Sequence, residues 1–143
     1  MSFHLLEDAP LADVGFVATG ATLEECLRAA ADATLQVMLG NPEGLVLRER
    51  RLLHVESDSV ELALLKLLEE LIYYKDADGL FLRVTHVTAV HDGDRWIVDA
   101  IAEGEAIDPT RHQLSGDVKA VTMHRLRVVR TEDGWQATVV LDI

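Results

Sequence analysis

The order of sequence patterns predicts an α+β fold, in which two helices pack on a mainly antiparallel β-sheet within one domain, residues 1–143. Three observations support this prediction. Two segments before residue 75 carry apolar residues at helical spacing. Four alternating segments follow them, and short turns join these segments in two pairs. The chain has 143 residues, 49% of them hydrophobic, which is enough to bury one proper core.

The first part of the chain is predicted to alternate strands with helices. Residues 3–6 and 14–19 have the composition of short strands. Thr22 and Glu25 have the spacing of a capping box, in which each satisfies a free backbone N–H near the helix start. The helix that begins there is expected to run to about Leu39, where glycine, asparagine and proline follow.

A second, more apolar helix is predicted after a strand at residues 45–55. Asp58 or Ser59 caps this helix, which reaches about Tyr74. Leucines cover more than half of its circumference, so we expect it to be buried on two sides as the central helix of the core. Residues 75–79 are interpreted as the turn that ends it.

Two hairpins complete the fold. Strands are predicted at residues 80–90 and 96–107, and again at 118–130 and 135–141, with turns at 92–94 and 132–134. Alternation over 118–124 puts Lys119 on the same face as Val121 and Met123. A lysine in such a place usually lays its stem over apolar surface. The alternative is that its ammonium group points at something acidic.

The charge balance limits the classes of partner. Thirteen basic against 25 acidic residues give a formal net charge of −12. Such a field repels phosphate backbones, so direct nucleic-acid binding is not expected, and divalent cations or basic protein surfaces are favoured. Most of these carboxylates need no role beyond solubility.

The single cysteine, Cys26, excludes an intramolecular disulfide and is expected to be a small buried apolar residue.

We expect a cytoplasmic protein without a membrane segment. No apolar run approaches the roughly 20 residues of a membrane span. The N-terminus also lacks a basic region followed by an apolar one.

Several motifs, in order along nearly the whole chain, resemble those of the archease family. Residues 108–112, D-P-T-R-H, and 118–124, V-K-A-V-T-M-H, are similar to the family's D-P-x-R-H loop and V-K-A-[VI]-T-x-H strand. Residues 12–15, A-D-V-G, look like its A-D-V-G strand start, and residues 22–25, T-L-E-E, like its helix start. The closing Asp142-Ile143 matches the family's D-I.

The resemblance implies a non-enzymatic activator of the GTP-dependent RNA ligase that acts in transfer-RNA splicing or RNA repair. It implies that the protein promotes guanylylation of this ligase and its multiple turnover. It also implies a metal site made of Asp13, Asp142 and the main-chain carboxylate of Ile143. Hard oxygen donors of this kind suit calcium, with magnesium or manganese as alternatives.

The resemblance implies a role in activating the partner for the remaining family positions. Lys119 matches the strand lysine and could pair with the carboxylates or reach the ligase. The other matching positions are Asp108, Arg111, His112 and His124.

One position departs from the family pattern, which usually reads H-T-A-D before the valine. Here Pro10 stands in place of the histidine, so the role of that histidine is open in this chain.

No autonomous enzyme is predicted. The six histidines show no H-x₃-H or H-E-x-x-H spacing, and neither a G-x-S-x-G motif nor a Walker phosphate loop occurs. A small metal-dependent hydrolase is disfavoured because no general base lies beside the carboxylates in sequence. The alternative to a ligase activator is a general chaperone or scaffold protein with an incidental cation site.

Overall fold

A computed structural model describes residues 1–7 and 13–143 of the chain. It confirms the α+β class, since two helices pack against antiparallel β-structure. A short 3₁₀ helix at Pro42–Gly44 follows the first helix. The strands and α-helices, in chain order, are β1 (Ser2–Leu6), β2 (Asp13–Gly20), α1 (Leu23–Met38), β3 (Glu49–Ser57), α2 (Val60–Asp78), β4 (Leu80–Asp92), β5 (Arg95–Ala106), β6 (Ala120–Thr131) and β7 (Gly134–Asp142).

The strands form two sheets. One has the order β1-β2-β7-β6 and the other β3-β5-β4, and every pairing is antiparallel. Helix α1 contacts β2 and β7 of the first sheet and β4 of the second, while α2 contacts β6 of the first sheet and all three strands of the second. Both helices therefore lie between the sheets, and the core fills the space around them.

Helix α1 begins as its sequence predicts. The Thr22 hydroxyl accepts a hydrogen bond from Glu25 N at 3.1 Å, and the Glu25 carboxylate accepts one from Ala21 N at 2.8 Å. Eleven of its 16 residues are buried, against seven of 19 in α2, so the expectation that α2 is the central helix was wrong and α1 is the more buried of the two. Cys26 is fully buried, as predicted, and burial raises the pKa of its thiol to about 11.

Helix α2 is longer than predicted. Ser59 caps it by accepting a hydrogen bond from Leu62 N at 3.1 Å. It continues to Asp78 because Gly79, with φ of 63°, provides the left-handed residue that ends it. The interpretation of residues 75–78 as a turn was wrong, and Lys75 instead lies in the last turn of the helix.

None of the helices in the described part of the chain has the length and apolar character needed to cross a bilayer.

The strand boundaries differ from prediction at two places. Strand β3 begins at Glu49, not at Leu45, and it is an edge strand of the three-stranded sheet. Strand β6 begins only at Ala120, and its register shifts between Thr122 and Arg127 opposite β7. The shift is a β-bulge, which leaves several residues of β6 opposite a single residue of the partner strand.

The predicted common face of Lys119, Val121 and Met123 does not form. Lys119 precedes the strand and is exposed, Val121 is buried, and Met123 is 69% exposed at the bulge. Regular alternation fails here because Lys119 lies before the start of β6 and the strand is irregular after Thr122.

Candidate metal centre

Two aspartates meet at one end of the four-stranded sheet. Asp13 is the first residue of β2, Asp142 is the last residue of β7, and the two are direct Cα partners. Directly opposed side chains of antiparallel strands share a face, with Cβ atoms about 4.5–5.5 Å apart. The next pair, Val14 and Leu141, packs into the core, so the aspartates lie on the face turned away from the helices.

The last residue of β7 and Ile143, which follows it, are also held in place. Asp142 O accepts a hydrogen bond from Lys119 N at 2.8 Å. Ile143 is half-buried and packs against the hydrophobic core. Its Cγ2 lies 3.8 Å from the point that a Cβ on Gly116 would occupy. This end of β7 is therefore packed and paired, and it does not extend into solvent.

The charges at this end of the sheet favour a cation. Like charges placed directly opposite in a sheet destabilise each other. Over residues 1–7 and 13–143, no lysine, arginine or histidine forms an ion pair with Asp13 or Asp142. Nor do three or more His, Cys, Asp or Glu side chains cluster for a metal in that part of the chain. The third donor of the predicted set is the main-chain carboxylate of Ile143, which is not a side chain. An all-oxygen set of this kind fits calcium or magnesium better than zinc.

Lys119 belongs to the same end of the molecule through its backbone. Its amide is bonded to Asp142, and Ala120 is the Cα partner of Asp142 on β6. Asp13, Asp142 and Ala120 therefore lie side by side across three strands, with Lys119 one residue away. The Lys119 side chain is exposed.

The loop that carries Asp108 is built from local hydrogen bonds. Asp108 Oδ1 accepts from Thr110 N at 3.0 Å and from Thr110 Oγ1 at 2.7 Å. These bonds lower the pKa of Asp108. The Asp108 amide donates to His112 Nδ1 at 2.8 Å, which closes the turn. Asp108 thus shapes the loop that its motif begins.

Arg111 and His112 surround a buried carboxylate, Glu105, which the sequence analysis did not single out. Glu105 is 4% exposed and is bound by the Arg111 guanidinium through both oxygens, with Nη1 3.0 Å from Oε2. Val46 N also donates to Oε2 at 2.7 Å. His112 Nε2 lies 3.1 Å from the same oxygen without the alignment of a hydrogen bond. The bonds from Arg111 are the main cause that lowers the pKa of Glu105 to about 2.

The predicted residues therefore fall into separate groups. Asp13, Asp142, Ile143 and Lys119 lie together. Asp108, Arg111 and His112 form and anchor the loop around Glu105. His124 is exposed in the irregular part of β6, away from both groups along that strand. Pro10, which replaces the family histidine, lies outside the described residues.

Sequence and fold comparisons identify relatives over nearly the whole chain. The model of the Archease protein family (MTH1598/TM1083) matches residues 3–143. The protein archease of Pyrococcus furiosus is 35% identical over 133 residues, which cover 92% of this chain and 93% of that protein. The protein archease of Methanosarcina acetivorans is 33% identical over 135 residues, which cover 92% and 90%.

Two solved structures have the same fold. The solution structure of Methanobacterium thermoautotrophicum protein 1598 superimposes with a TM-score of 0.80 at 26% identity, covering 99% of this chain and 98% of that one. A crystal structure from Thermotoga maritima, described as an archease and possible chaperone, gives 0.62 at 20% identity and covers 98% and 100%. The family match spans both the Asp13 strand and the Asp142 strand, and this chain belongs to the archease family.

Proposed function

We propose that this chain is a non-enzymatic activator of a GTP-dependent RNA ligase, acting through a divalent cation held by Asp13, Asp142 and the main-chain carboxylate of Ile143. Calcium is the preferred ion, with magnesium and manganese as alternatives. The observation that supports this proposal most is the pairing of Asp13 with Asp142 in a chain of the archease family.

The donor set suits a hard cation with open coordination positions. Calcium takes about six to eight oxygen ligands, so the carboxylates of Asp13, Asp142 and Ile143 leave positions for water and for a group of the partner. Bound there, the cation supplies positive charge to an otherwise acidic surface. The protein's own contribution is to hold the two aspartates at fixed ends of neighbouring strands.

Lys119 provides a second positive group at the same place. Its backbone is fixed by Asp142 while its side chain is exposed, so the ammonium can reach a partner without disturbing the sheet. Asp108, Arg111 and His112 act indirectly by fixing the loop that leads to Lys119. His124, which is exposed on β6, is proposed to contact the partner directly.

The net charge favours a protein partner over a nucleic acid. At −12, the protein repels a phosphate backbone but is attracted to the basic surface of an RNA-binding ligase. The field also speeds encounter with such a surface at low salt.

The test uses the purified protein with the GTP-dependent RNA ligase of the same organism and labelled GTP. The wild-type chain is expected to increase guanylylation and to allow multiple turnover, whereas Asp13→Asn, Asp142→Asn and Lys119→Met lose this effect. Asp94→Asn, at the exposed tip between β4 and β5, is the charge-matched control and retains it.

Absence of stimulation by the wild-type chain removes the proposed function. Full stimulation by the Asp13→Asn and Asp142→Asn variants would show that activation does not depend on the cation site. Suppression of aggregation of unrelated proteins, unaffected by Asp142→Asn, would instead support the chaperone alternative.

A further inference from the structure

A nearly buried lysine lies at the end of α2, one residue before an aspartate that it also binds. The Lys75 side chain is 9% exposed. Its Nζ donates to Asp117 Oδ1 at 2.8 Å and to Val118 O at 3.1 Å, and lies 2.8 Å from Asp76 Oδ1. An ammonium group has three donors, and two of them are used in the hydrogen bonds to Asp117 and Val118, while Asp76 forms an ion pair with the same group. Lysines are rarely buried unless they are paired in this way.

The segment that Lys75 holds leads directly to the candidate metal centre. Asp117 and Val118 precede Lys119, whose amide donates to Asp142 O. Val118 is fully buried. A continuous path of contacts therefore runs from the end of α2, through two residues of the loop, to the last residue of β7.

Apart from the core packing of Val118, the same segment is held mainly by backbone hydrogen bonds at its two ends. Residues 115–119 belong to neither a helix nor a strand. On the side of α1, Ser115 N donates to Met38 O at 3.0 Å and Gly116 N to Val37 O at 2.7 Å. Those bonds fix the residues before Asp117, and Lys75 fixes Asp117 and the Val118 carbonyl. Without Lys75, the Asp117 carboxylate and the Val118 carbonyl lose this hydrogen-bond donor, and Val118 is left with the core packing of its side chain.

Both members of the Lys75–Asp117 pair remain charged at neutral pH. Burial is the largest single effect on Lys75 and favours its neutral form. The hydrogen bonds and charges of Asp117 and Asp76 outweigh it, so the pKa of Lys75 is raised. The hydrogen bond from Lys75 is in turn the main cause that lowers the pKa of Asp117.

We propose that Lys75 is a positioning residue for the metal centre: by fixing the backbone at Asp117 and Val118, it holds Lys119, and through the Lys119 amide it holds Asp142 in place. This inference rests on the proposed function and adds to it a residue that forms no ion pair with the proposed ligands Asp13 and Asp142. Replacing Lys75 leaves a buried carbonyl and a carboxylate without their donor, so residues 117–119 loosen and Asp142 loses a fixed neighbour.

The experiment compares Lys75→Met with Lys66→Met. Both residues lie on α2, and Lys66 Nζ also donates to a backbone carbonyl, Glu56 O at 2.7 Å, but far from the metal centre along the helix. Calcium affinity is measured by calorimetry, and exchange of the Lys119 amide is measured in metal-free protein. Lys75→Met is expected to weaken calcium binding by about tenfold, as for other residues that orient metal ligands, and to speed the exchange. Lys66→Met is expected to change neither.

Asp117→Asn serves as the second variant, since it weakens the same contact while leaving α2 and its lysine intact. It is expected to shift both readouts in the same direction, and it decides the question if Lys75→Met fails to fold. Unchanged calcium affinity and unchanged exchange in these variants overturn the proposal. A wild-type chain that binds no calcium overturns the proposed metal centre instead, and the Lys119 amide exchange then decides whether Lys75 positions Lys119.

Discussion

Asp13 and Asp142 are direct partners on neighbouring antiparallel strands, although almost the whole chain separates them in sequence. The pairing places two negative side chains on one face at the end of a sheet whose next residues, Val14 and Leu141, are packed into the core. The sheet cannot slip by one residue to separate the carboxylates without exposing that core face. The opposed charges are thus imposed by the packing.

Removing one of these charges should stabilise the metal-free protein. In Asp142→Asn the like-charge contact with Asp13 is lost, which we expect to raise the free energy of unfolding by about 0.2–1 kcal/mol in the presence of a chelator. The same variant should lose the rise in Tm that calcium gives the wild-type protein, because a ligand that binds only the folded state stabilises it. Thermal unfolding with and without calcium measures both effects. Asp94→Asn should behave as wild type, and a calcium response preserved in Asp142→Asn would contradict the assignment.

Extending the chain by one glycine after Ile143 tests the third donor. The extension replaces the Ile143 carboxylate by a peptide carbonyl and moves the negative charge one residue further on. Calcium affinity should fall by about tenfold or more, while Tm in chelator stays within about 1 °C, because Ile143 still packs against the core. Calorimetry gives the affinity. Ile143→Leu keeps the carboxylate and is the control, and an extended chain that binds calcium normally would exclude this ligand.

Glu105→Gln should destabilise the protein in a pH-dependent way. The pKa of Glu105 is lowered from 4.5 to about 2, chiefly by the Arg111 hydrogen bonds. The stabilisation is therefore fully present above about pH 4.5 and is lost as the pH falls towards 2. At pH 7 the variant should lose about 2–3 kcal/mol, because a buried, charge-assisted contact is broken.

Chemical unfolding of wild type and Glu105→Gln between pH 7 and pH 2.5 measures this difference. The difference between the two curves should shrink as the pH falls, and most of it should be lost by pH 2.5. Glu132→Gln, in the exposed turn between β6 and β7, should follow the wild-type curve throughout. A difference that stays constant with pH would show that Glu105 acts through shape and not through its charge.

Gly104→Ala should lower the free energy of unfolding by crowding the backbone of the three-stranded sheet. A Cβ on Gly104 would overlap Phe81 O, a backbone atom that cannot move aside without shifting β4. We expect a loss of about 3 kcal/mol or more, from overpacking against the backbone. Gly44→Ala is the matched control, since its Cβ would meet nothing nearer than 3.9 Å. Urea unfolding compares the two, and a Gly104→Ala protein as stable as Gly44→Ala would contradict the close approach.

The features that local sequence determines were predicted well. The start of α1 follows from Thr22 and Glu25 alone, because a capping box needs only residues within one turn.

The end of α2 was placed too early, because an acidic, lysine-containing segment resembles a turn unless Gly79 is recognised as the residue that stops the helix.

The features that depend on distant residues were not predicted. Division of the strands into two sheets, and the bulge in β6, depend on how strands pair, which periodicity does not reveal. Glu105 and Lys75 likewise matter only through partners elsewhere in the fold. The placement of Asp13 beside Asp142 came from the family resemblance and not from any pattern within either strand.

Long-wavelength diffraction from crystals soaked in calcium tests the central claim most directly. The account predicts one anomalous peak about 2.3–2.6 Å from carboxylate oxygens of Asp13, Asp142 and Ile143. No peak at that end of the sheet, or a peak held only by other residues, would contradict it.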